Sequence, residues 1–161
     1  MTSFIEQKLA QQGFAFPDNG TRKTLYAPWV RHNDTLLISG QLPMDKGKLR
    51  YQGQLGDTIS IDDAIDAAYL CALNILSHVD TACEHEPSPS MRCVRLTGFI
   101  ACAAQKTQAT PHITPHITHV MDAASTLIRS VFEEPHARSV VGVSSLPLGA
   151  CVEIEGIFSL P

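Results

Sequence analysis

Residues 136–155, His-Ala-Arg-Ser-Val-Val-Gly-Val-Ser-Ser-Leu-Pro-Leu-Gly-Ala-Cys-Val-Glu-Ile-Glu, decide the fold of this chain. Two β-prone runs rich in Val and Ile, 139–143 and 150–158, flank a Ser-Ser-Leu-Pro-Leu-Gly connection. Such runs, interrupted by Gly and Pro, are typical of two strands joined by a turn. The stretch therefore predicts a β-hairpin.

Side chains alternate between the two faces of a strand, so this hairpin would have one apolar face and one charged face. If it closes symmetrically about Pro147, Arg138 lies near Glu155 and diagonal to Glu153 on the charged face. A guanidinium matches the two oxygens of a carboxylate ligand, and a nearby glutamate can hold or activate a water. The same pattern also describes a structural Arg–Glu ion pair, which the hairpin alone favours.

The stretch resembles the signature of the Rid/YjgF family of imine and enamine deaminases, which are small trimeric proteins. That signature joins an Ala-Arg-Ser strand, a Leu-Pro turn and a Val-Glu-Ile-Glu strand. Two more segments are similar to family motifs: an apolar strand ending in Ser-Gly-Gln-Leu-Pro, and an Ala-rich helix containing Leu-Asn-Ile. The matching segments are 137–139, 146–147, 152–155, 36–43 and 67–76. The chain most resembles a longer branch of the family, whose physiological role is less settled.

The resemblance implies an α+β, chorismate-mutase-like fold: a mixed six-stranded sheet with two helices packed on one face, assembled as a homotrimer. The residues offer a physical reason for the trimer. With the helices over Val141, Val143, Val152 and Ile154, the opposite face still carries apolar residues such as Val140, and burial against copies of itself would cover it. Residues 1–161 are predicted to form a single domain, with 1–24 as an N-terminal helix and loop extension.

The resemblance also implies an activity, the hydrolysis of reactive 2-imino or enamino acids to 2-keto acids and ammonia in clefts between subunits. Arg138 aligns with the arginine that holds the substrate carboxylate, and Glu153 with the glutamate that positions the attacking water. Gly40 aligns with a glycine whose backbone lines the pocket, and Val140 stands where many members have cysteine. No metal or organic cofactor is expected, because an imine is already electrophilic and needs only positioning.

Two departures from the compact members concern substrate binding. Where those members often place a tyrosine hydroxyl, this chain has Trp29, with Tyr26 close by. The second long helix also begins differently, and Ser125 is the nearest candidate for its polar pocket residue. Trp29 and Ser125 are therefore predicted to bind substrate, and the substrate range is less defined than the fold.

A second class of function fits the same residues. A non-catalytic trimer could bind a small carboxylate metabolite, or act on a regulatory partner protein, through the same clefts. Arg138 would serve both classes, so its presence does not separate them, whereas Glu153 favours chemistry.

Composition narrows the partners and the compartment. With 12 Lys plus Arg against 16 Asp plus Glu, the chain has no evident nucleic-acid footprint, which makes a ribonuclease activity the least favoured function. No signal peptide or membrane span is visible. Five cysteines without Cys-x-x-Cys spacing indicate reduced thiols, so a cytoplasmic protein is predicted.

Several other side chains invite a chemical interpretation. His112, His116 and His119 could bind zinc, but two prolines interrupt the segment, which favours a surface loop and helix entry. His136 would share the face of Arg138 and either adds charge to the cleft or caps the preceding helix. Cys151 is best interpreted as a small buried hydrophobe.

The remaining sequence predicts helices by their apolar periodicity and caps, and strands by their alternation. Ser3 with Glu6 forms a capping-box pattern, and Ser60 precedes an acidic first turn. The predicted helices span 3–12, 60–83 and 115–133, and the predicted strands before the final pair span 25–31, 35–40, 49–54 and 91–102.

Overall fold

The computed structural model describes residues 2–20, 24–104 and 114–161. The predicted α+β class with a mixed sheet is confirmed. The helices are α1 (Phe4–Ala10), α2 (Ile61–Ala82) and α3 (Thr114–Phe132). The strands are β1 (Trp29–His32), β2 (Thr35–Gln41), β3 (Met44–Asp45), β4 (Lys48–Leu49), β5 (Arg92–Ala101), β6 (Ala137–Val143) and β7 (Val152–Ser159).

The helices begin where their capping residues predict. The Ser3 hydroxyl accepts the backbone N–H of Glu6 at 3.2 Å, and the Glu6 carboxylate accepts the N–H of Ser3 at 2.8 Å, which completes the capping box. The Ser60 hydroxyl accepts the backbone N–H of Asp63 at 3.0 Å and starts α2. Each cap satisfies donors that a helix N-terminus otherwise leaves without partners.

Helices α2 and α3 pack together on one face of the sheet, as predicted. The buried stripe of α2 follows steps of three and four residues, which places it against the sheet and against α3. That stripe consists of Ala64, Ala67, Ala68, Cys71, Ala72, Ile75, Leu76 and Val79. The shorter α1 contacts α3 and contributes the fully buried Ile5 and Leu9 to the same core.

The main sheet has five strands in the described residues, not the predicted six, in the order β1-β2-β7-β5-β6. The number differs because most of the predicted third strand, 49–54, does not form. Only Lys48–Leu49 of β4 is a strand, and it pairs with β3 across Lys46 and Gly47, whose φ angles are both positive at 51° and 69°. Beyond it, Gln52 makes an isolated bridge to Ala150. This two-stranded unit stands apart from the sheet.

The predicted hairpin is wrong, because β6 and β7 are not neighbours. Strand β5 lies between them, parallel to β6 and antiparallel to β7. Helix α3 connects β5 to β6, and a crossover helix is the usual link between parallel strands. The Leu-Pro connection therefore joins two strands that are separated by a third.

This topology changes which side chains face the helices. A β-carbon at Gly98 of β5 would meet the side chain of Met121 in α3, so Gly98 faces α3. The residues paired with Gly98 are Val140 and Ile154, and they share that face. Burial of Val152 and Ile154 beneath the helices is confirmed, whereas the same prediction for Val141 and Val143 is wrong.

The opposite sheet face carries exposed apolar side chains. Val30, Leu37 and Val141 are 53%, 42% and 45% exposed in the single chain. Exposed apolar residues that cluster on one sheet face are typical of a surface that another protein covers. None of the helices in the described residues is long and apolar enough to span a bilayer.

Candidate functional site

The Arg138 side chain reaches from β6 toward α3. Its Nη1 donates to Oδ1 of Asp122 at 2.7 Å and to the hydroxyl of Ser125 at 3.2 Å. The side chain is 26% exposed, so the guanidinium is neither buried nor in open solvent. Arg138 and Ser125, both predicted site residues, are thus brought together, with Asp122 beside them. We call Asp122, Ser125, His136 and Arg138 the arginine half-site.

Helical and strand periodicity together build this half-site. Positions 122, 125, 126 and 129 recur at steps of three and four on α3, which places them on one face. Positions 136 and 138 alternate to the same side of the chain that enters β6. These side chains line a cavity of about 490 Å³, whose walls are Asp122, Ser125, Thr126, Arg129, Pro135, His136 and Arg138. Sequence reasoning missed Asp122, although its spacing of three from Ser125 places the two on one helical face.

His136 lies in this cavity beside Arg138, although it does not add the charge that one of the two sequence interpretations expected. Its Nε2 is 3.1 Å from the Ser125 hydroxyl, and its buried Nδ1 has no hydrogen-bond partner among the described residues. Burial lowers the pKa of His136, and the positive charges of Arg138 and Arg129 lower it further. His136 is therefore neutral near pH 7.

A second group of predicted residues meets on the other side of the sheet. Gly40 lies in β2, in the segment between Ile38 and Gln41 where the pairing with β7 is irregular. A β-carbon at Gly40 would come within 2.9 Å of Cδ of Glu153, so the carboxylate lies against the glycine backbone. Burial raises the pKa of Glu153, and the charge of Glu155 raises it further. We call Gly40 and Glu153 the glutamate half-site.

The two half-sites are separate within one chain, which corrects the predicted geometry. Arg138 pairs with Leu96 of β5 and faces α3, whereas Glu153 pairs with Phe99 of β5 and faces the opposite side. Arg138 is therefore not beside Glu155, and it does not share a face with Glu153. One strand and the thickness of the sheet lie between the two functional groups.

The other predicted substrate-binding residues outside the two half-sites are Val140 and Trp29. Val140 is partly buried, packs against the core and shares the face of Arg138. Trp29 begins β1, pairs with Ile38 and packs partly buried against the same core, outside the cavity of the arginine half-site.

The remaining candidate residues are Cys151 and the three histidines considered as zinc ligands. Cys151 is fully buried, and burial raises the pKa of its thiol to about 12, in keeping with a small apolar side chain. Within residues 2–20, 24–104 and 114–161, no group of three or more His, Cys, Asp and Glu side chains converges as a metal site. His116 and His119 belong to α3, and His112 lies outside the described residues.

Residues 6–155 match the family described as "YjgF/chorismate_mutase-like, putative endoribonuclease". Protein TCP17 of Trypanosoma cruzi is 32% identical over 159 residues, which cover 97% of this chain and 94% of that protein.

Two solved structures are similar along almost the whole chain. The protein Atu1372 of Agrobacterium tumefaciens, of unknown function, has a TM-score of 0.83 at 36% identity, covering 98% of this chain and 93% of that one. RidA from the Antarctic bacterium Psychrobacter sp. PAMC 21119 has a TM-score of 0.60 at 22% identity, covering 90% and 94%. At that identity the likeness to RidA concerns the fold alone.

Proposed function

Because this chain belongs to the YjgF/chorismate mutase-like family, we propose that it hydrolyses reactive 2-imino and enamino acids to 2-keto acids and ammonia in clefts between subunits. The Rid/YjgF resemblance of its sequence motifs is confirmed by the family match. Family membership suggests a Rid-like or related small-molecule-binding role, and the deamination reaction is the finer proposal that the half-sites support.

The observation that carries the proposal is the hydrogen bonding of the Arg138 guanidinium. Its Nη1 is occupied by Asp122 and Ser125, while its Nη2 and Nε donate to no described residue. A planar edge with two remaining donors suits the carboxylate of a 2-imino acid. The partial burial of the side chain, at 26% exposure, makes that attraction stronger than it would be in bulk water.

Glu153 has the properties that the attack of water on an imine carbon requires. Desolvation and Glu155 raise its pKa, so its carboxylate is a better proton acceptor than an ordinary surface glutamate. In the proposed step this carboxylate takes a proton from water as the water oxygen bonds to the carbon of the protonated imine, and the π electrons of the C=N bond move to the nitrogen. Glu153 then gives that proton to the nitrogen, and the C–N bond breaks as the hydroxyl proton returns to Glu153. The nitrogen leaves as ammonia and departs with that last proton as ammonium, and the carbonyl oxygen of the product comes from the water.

The separation of the two half-sites supports an assembly of several copies of the chain. Since Arg138 and Glu153 lie on opposite faces of one sheet, one ligand can reach both only where two chains meet. The exposed apolar face that carries Val30, Leu37 and Val141 supplies a surface for such a contact. We propose a closed homotrimer with three clefts, each formed by the arginine half-site of one subunit and the glutamate half-site of the next.

The test uses imines generated by an amino acid oxidase and follows the rate of keto-acid release with and without the protein. We expect a clear acceleration by the wild-type chain. Arg138→Ala should reduce it roughly 10- to 100-fold, the range expected for losing charge-assisted hydrogen bonds. The matched control is Arg92→Ala, which removes an arginine that is 60% exposed and paired with Glu134 outside the cavity, and should leave the rate unchanged.

Two further measurements complete this test. Light scattering should give the mass of a trimer for the wild-type chain and for both variants. If no imine is hydrolysed faster while a 2-keto acid binds clearly, the protein is instead a non-catalytic carboxylate binder, the second function class.

A further inference from the structure

The arginine half-site contains a feature that a site for simple carboxylates does not need. The guanidinium that is proposed to hold a ligand carboxylate is already paired with a carboxylate of the protein, Asp122, at 2.7 Å. Asp122 is 53% exposed and lies on the cavity wall, so it faces the space that a ligand would enter.

The charges of the cavity define what this space accepts. Two guanidiniums, Arg129 and Arg138, stand against the single carboxylate of Asp122, with His136 neutral. Among the described residues, Arg129 forms no ion pair. The cavity therefore has one positive charge in excess, and it also presents a negative group to the ligand.

A ligand carboxylate bound to the remaining edge of Arg138 would bring a second negative charge close to Asp122. Two carboxylates that share one guanidinium repel each other, and this cost is larger in a partly desolvated cavity than in water. A cationic nitrogen in the same ligand relieves the repulsion by placing a positive charge between the two carboxylates.

We propose that Asp122 determines ligand specificity, by selecting amino and imino acids that carry a cationic nitrogen next to their carboxylate over 2-keto acids that carry none. The inference rests on the proposed function in one respect, that the ligand carboxylate binds Arg138. A 2-imino acid protonated on nitrogen has both charges. Its hydrolysis product, a 2-keto acid, retains the carboxylate and has lost the nitrogen as ammonium.

This selectivity has a consequence for turnover. In the bound substrate, the cationic nitrogen lies between the ligand carboxylate and Asp122. In the bound product this cation is missing, so Asp122 faces a second carboxylate directly. Asp122 thereby weakens binding of the product relative to the substrate and favours product release. In this role it is a specificity residue, and it takes no part in bond making.

The experiment measures binding without chemistry, using L-alanine and pyruvate as stable probes. The two share a three-carbon skeleton and differ in having an ammonium group or a keto oxygen beside the carboxylate. Isothermal titration calorimetry gives Kd for each probe with wild-type protein, Asp122→Asn and Asp122→Glu. The matched control is Glu134→Gln, which makes the same charge change at a residue that is 51% exposed and paired with Arg92.

We expect the wild-type protein to bind alanine more tightly than pyruvate. Asp122→Asn should weaken alanine binding and tighten pyruvate binding, each by roughly two- to fivefold, the upper part of the range for partly exposed ion pairs. Asp122→Glu should retain the wild-type order, and Glu134→Gln should change neither Kd.

Three outcomes would overturn the inference: equal weakening of both probes by Asp122→Asn, no change in either Kd, or no binding of either probe to the wild-type protein. The first would make Asp122 a positioning residue for Arg138. The imine assay separates this failure from that of the proposed function. Accelerated hydrolysis with an unaltered probe ratio defeats the specificity role alone, and the expected probe ratio without hydrolysis defeats the deaminase alone.

Discussion

The carboxylate of Glu153 lies against the backbone of Gly40, with its Cδ 2.9 Å from the position that a β-carbon of residue 40 would take. Gly40 does not have a positive φ, so an alanine there would meet no backbone penalty. The glycine is needed for space alone, and its absence would displace a single functional group.

The first prediction follows from this contact. Gly40→Ala should push the Glu153 carboxylate out of its position and reduce imine hydrolysis at least roughly tenfold, because misplacing a reacting group by about an ångström has large effects on rate. The displaced atoms are the end of a flexible side chain, so the free energy of unfolding in urea should change by less than about 1 kcal/mol. Unchanged kinetics in a folded variant would remove Glu153 from the reaction.

The second prediction concerns the two-subunit cleft. Arg138→Ala and Glu153→Gln should each be strongly impaired alone, and mixing them by denaturation and refolding should restore activity. In randomly mixed trimers, a cleft contains both native residues when its arginine comes from one variant and its glutamate from the other, which gives about a quarter of wild-type activity. Mixed assemblies that stay inactive would place both residues of each cleft in the same subunit.

The third prediction uses the pKa of Glu153. Burial and then the charge of Glu155 raise this pKa above its ordinary value of 4.5. As a base, Glu153 must be ionised, so activity should fall as the pH is lowered through the raised pKa. Glu155→Gln removes one of the two causes and should shift this acidic limb of the pH–rate profile to lower pH. An acidic limb that is unmoved by this substitution, in a variant that still assembles, would assign it to another group.

The fourth prediction concerns stability and the pKa of His136. Burial, Arg138 and Arg129 lower this pKa below its ordinary value of 6.5. The unfolded chain therefore binds a proton below pH 6.5 that the folded chain does not, and the free energy of unfolding decreases as the pH falls. The slope from one such group is at most about 1.4 kcal/mol per pH unit, and it is smaller for a partly buried side chain.

Urea denaturation at pH 7.5 and pH 5.5 would measure this effect. His136→Gln should show a smaller loss of stability between the two pH values than the wild-type chain. His78, whose pKa burial also lowers, contributes to the loss in both proteins, so some pH dependence should remain. Equal losses in the two proteins would contradict the assignment of a lowered pKa to His136.

Local chemistry in the sequence determined where two helices begin, one tight turn and the family. The hydroxyls of Ser3 and Ser60 cap helices at the predicted positions, and Gly47 lies in a turn between short strands. These features depend on residues that are close together in the chain, so their spacing can be read directly. The motifs around Gly40, Asn74 and Arg138 identified the family for the same reason.

Only the tertiary structure decided how the site residues are distributed. Two strands joined by a Leu-Pro connection look the same in the sequence whether they pair directly or lie on either side of a third strand. Strand β5 lies between β6 and β7 because it forms hydrogen bonds with both, across long separations in the sequence. Helix α3 provides the crossover that allows β5 and β6 to run parallel. That choice turned Arg138 toward Asp122 and away from Glu153, since a residue's face depends on the partner strand as well as on its own alternation.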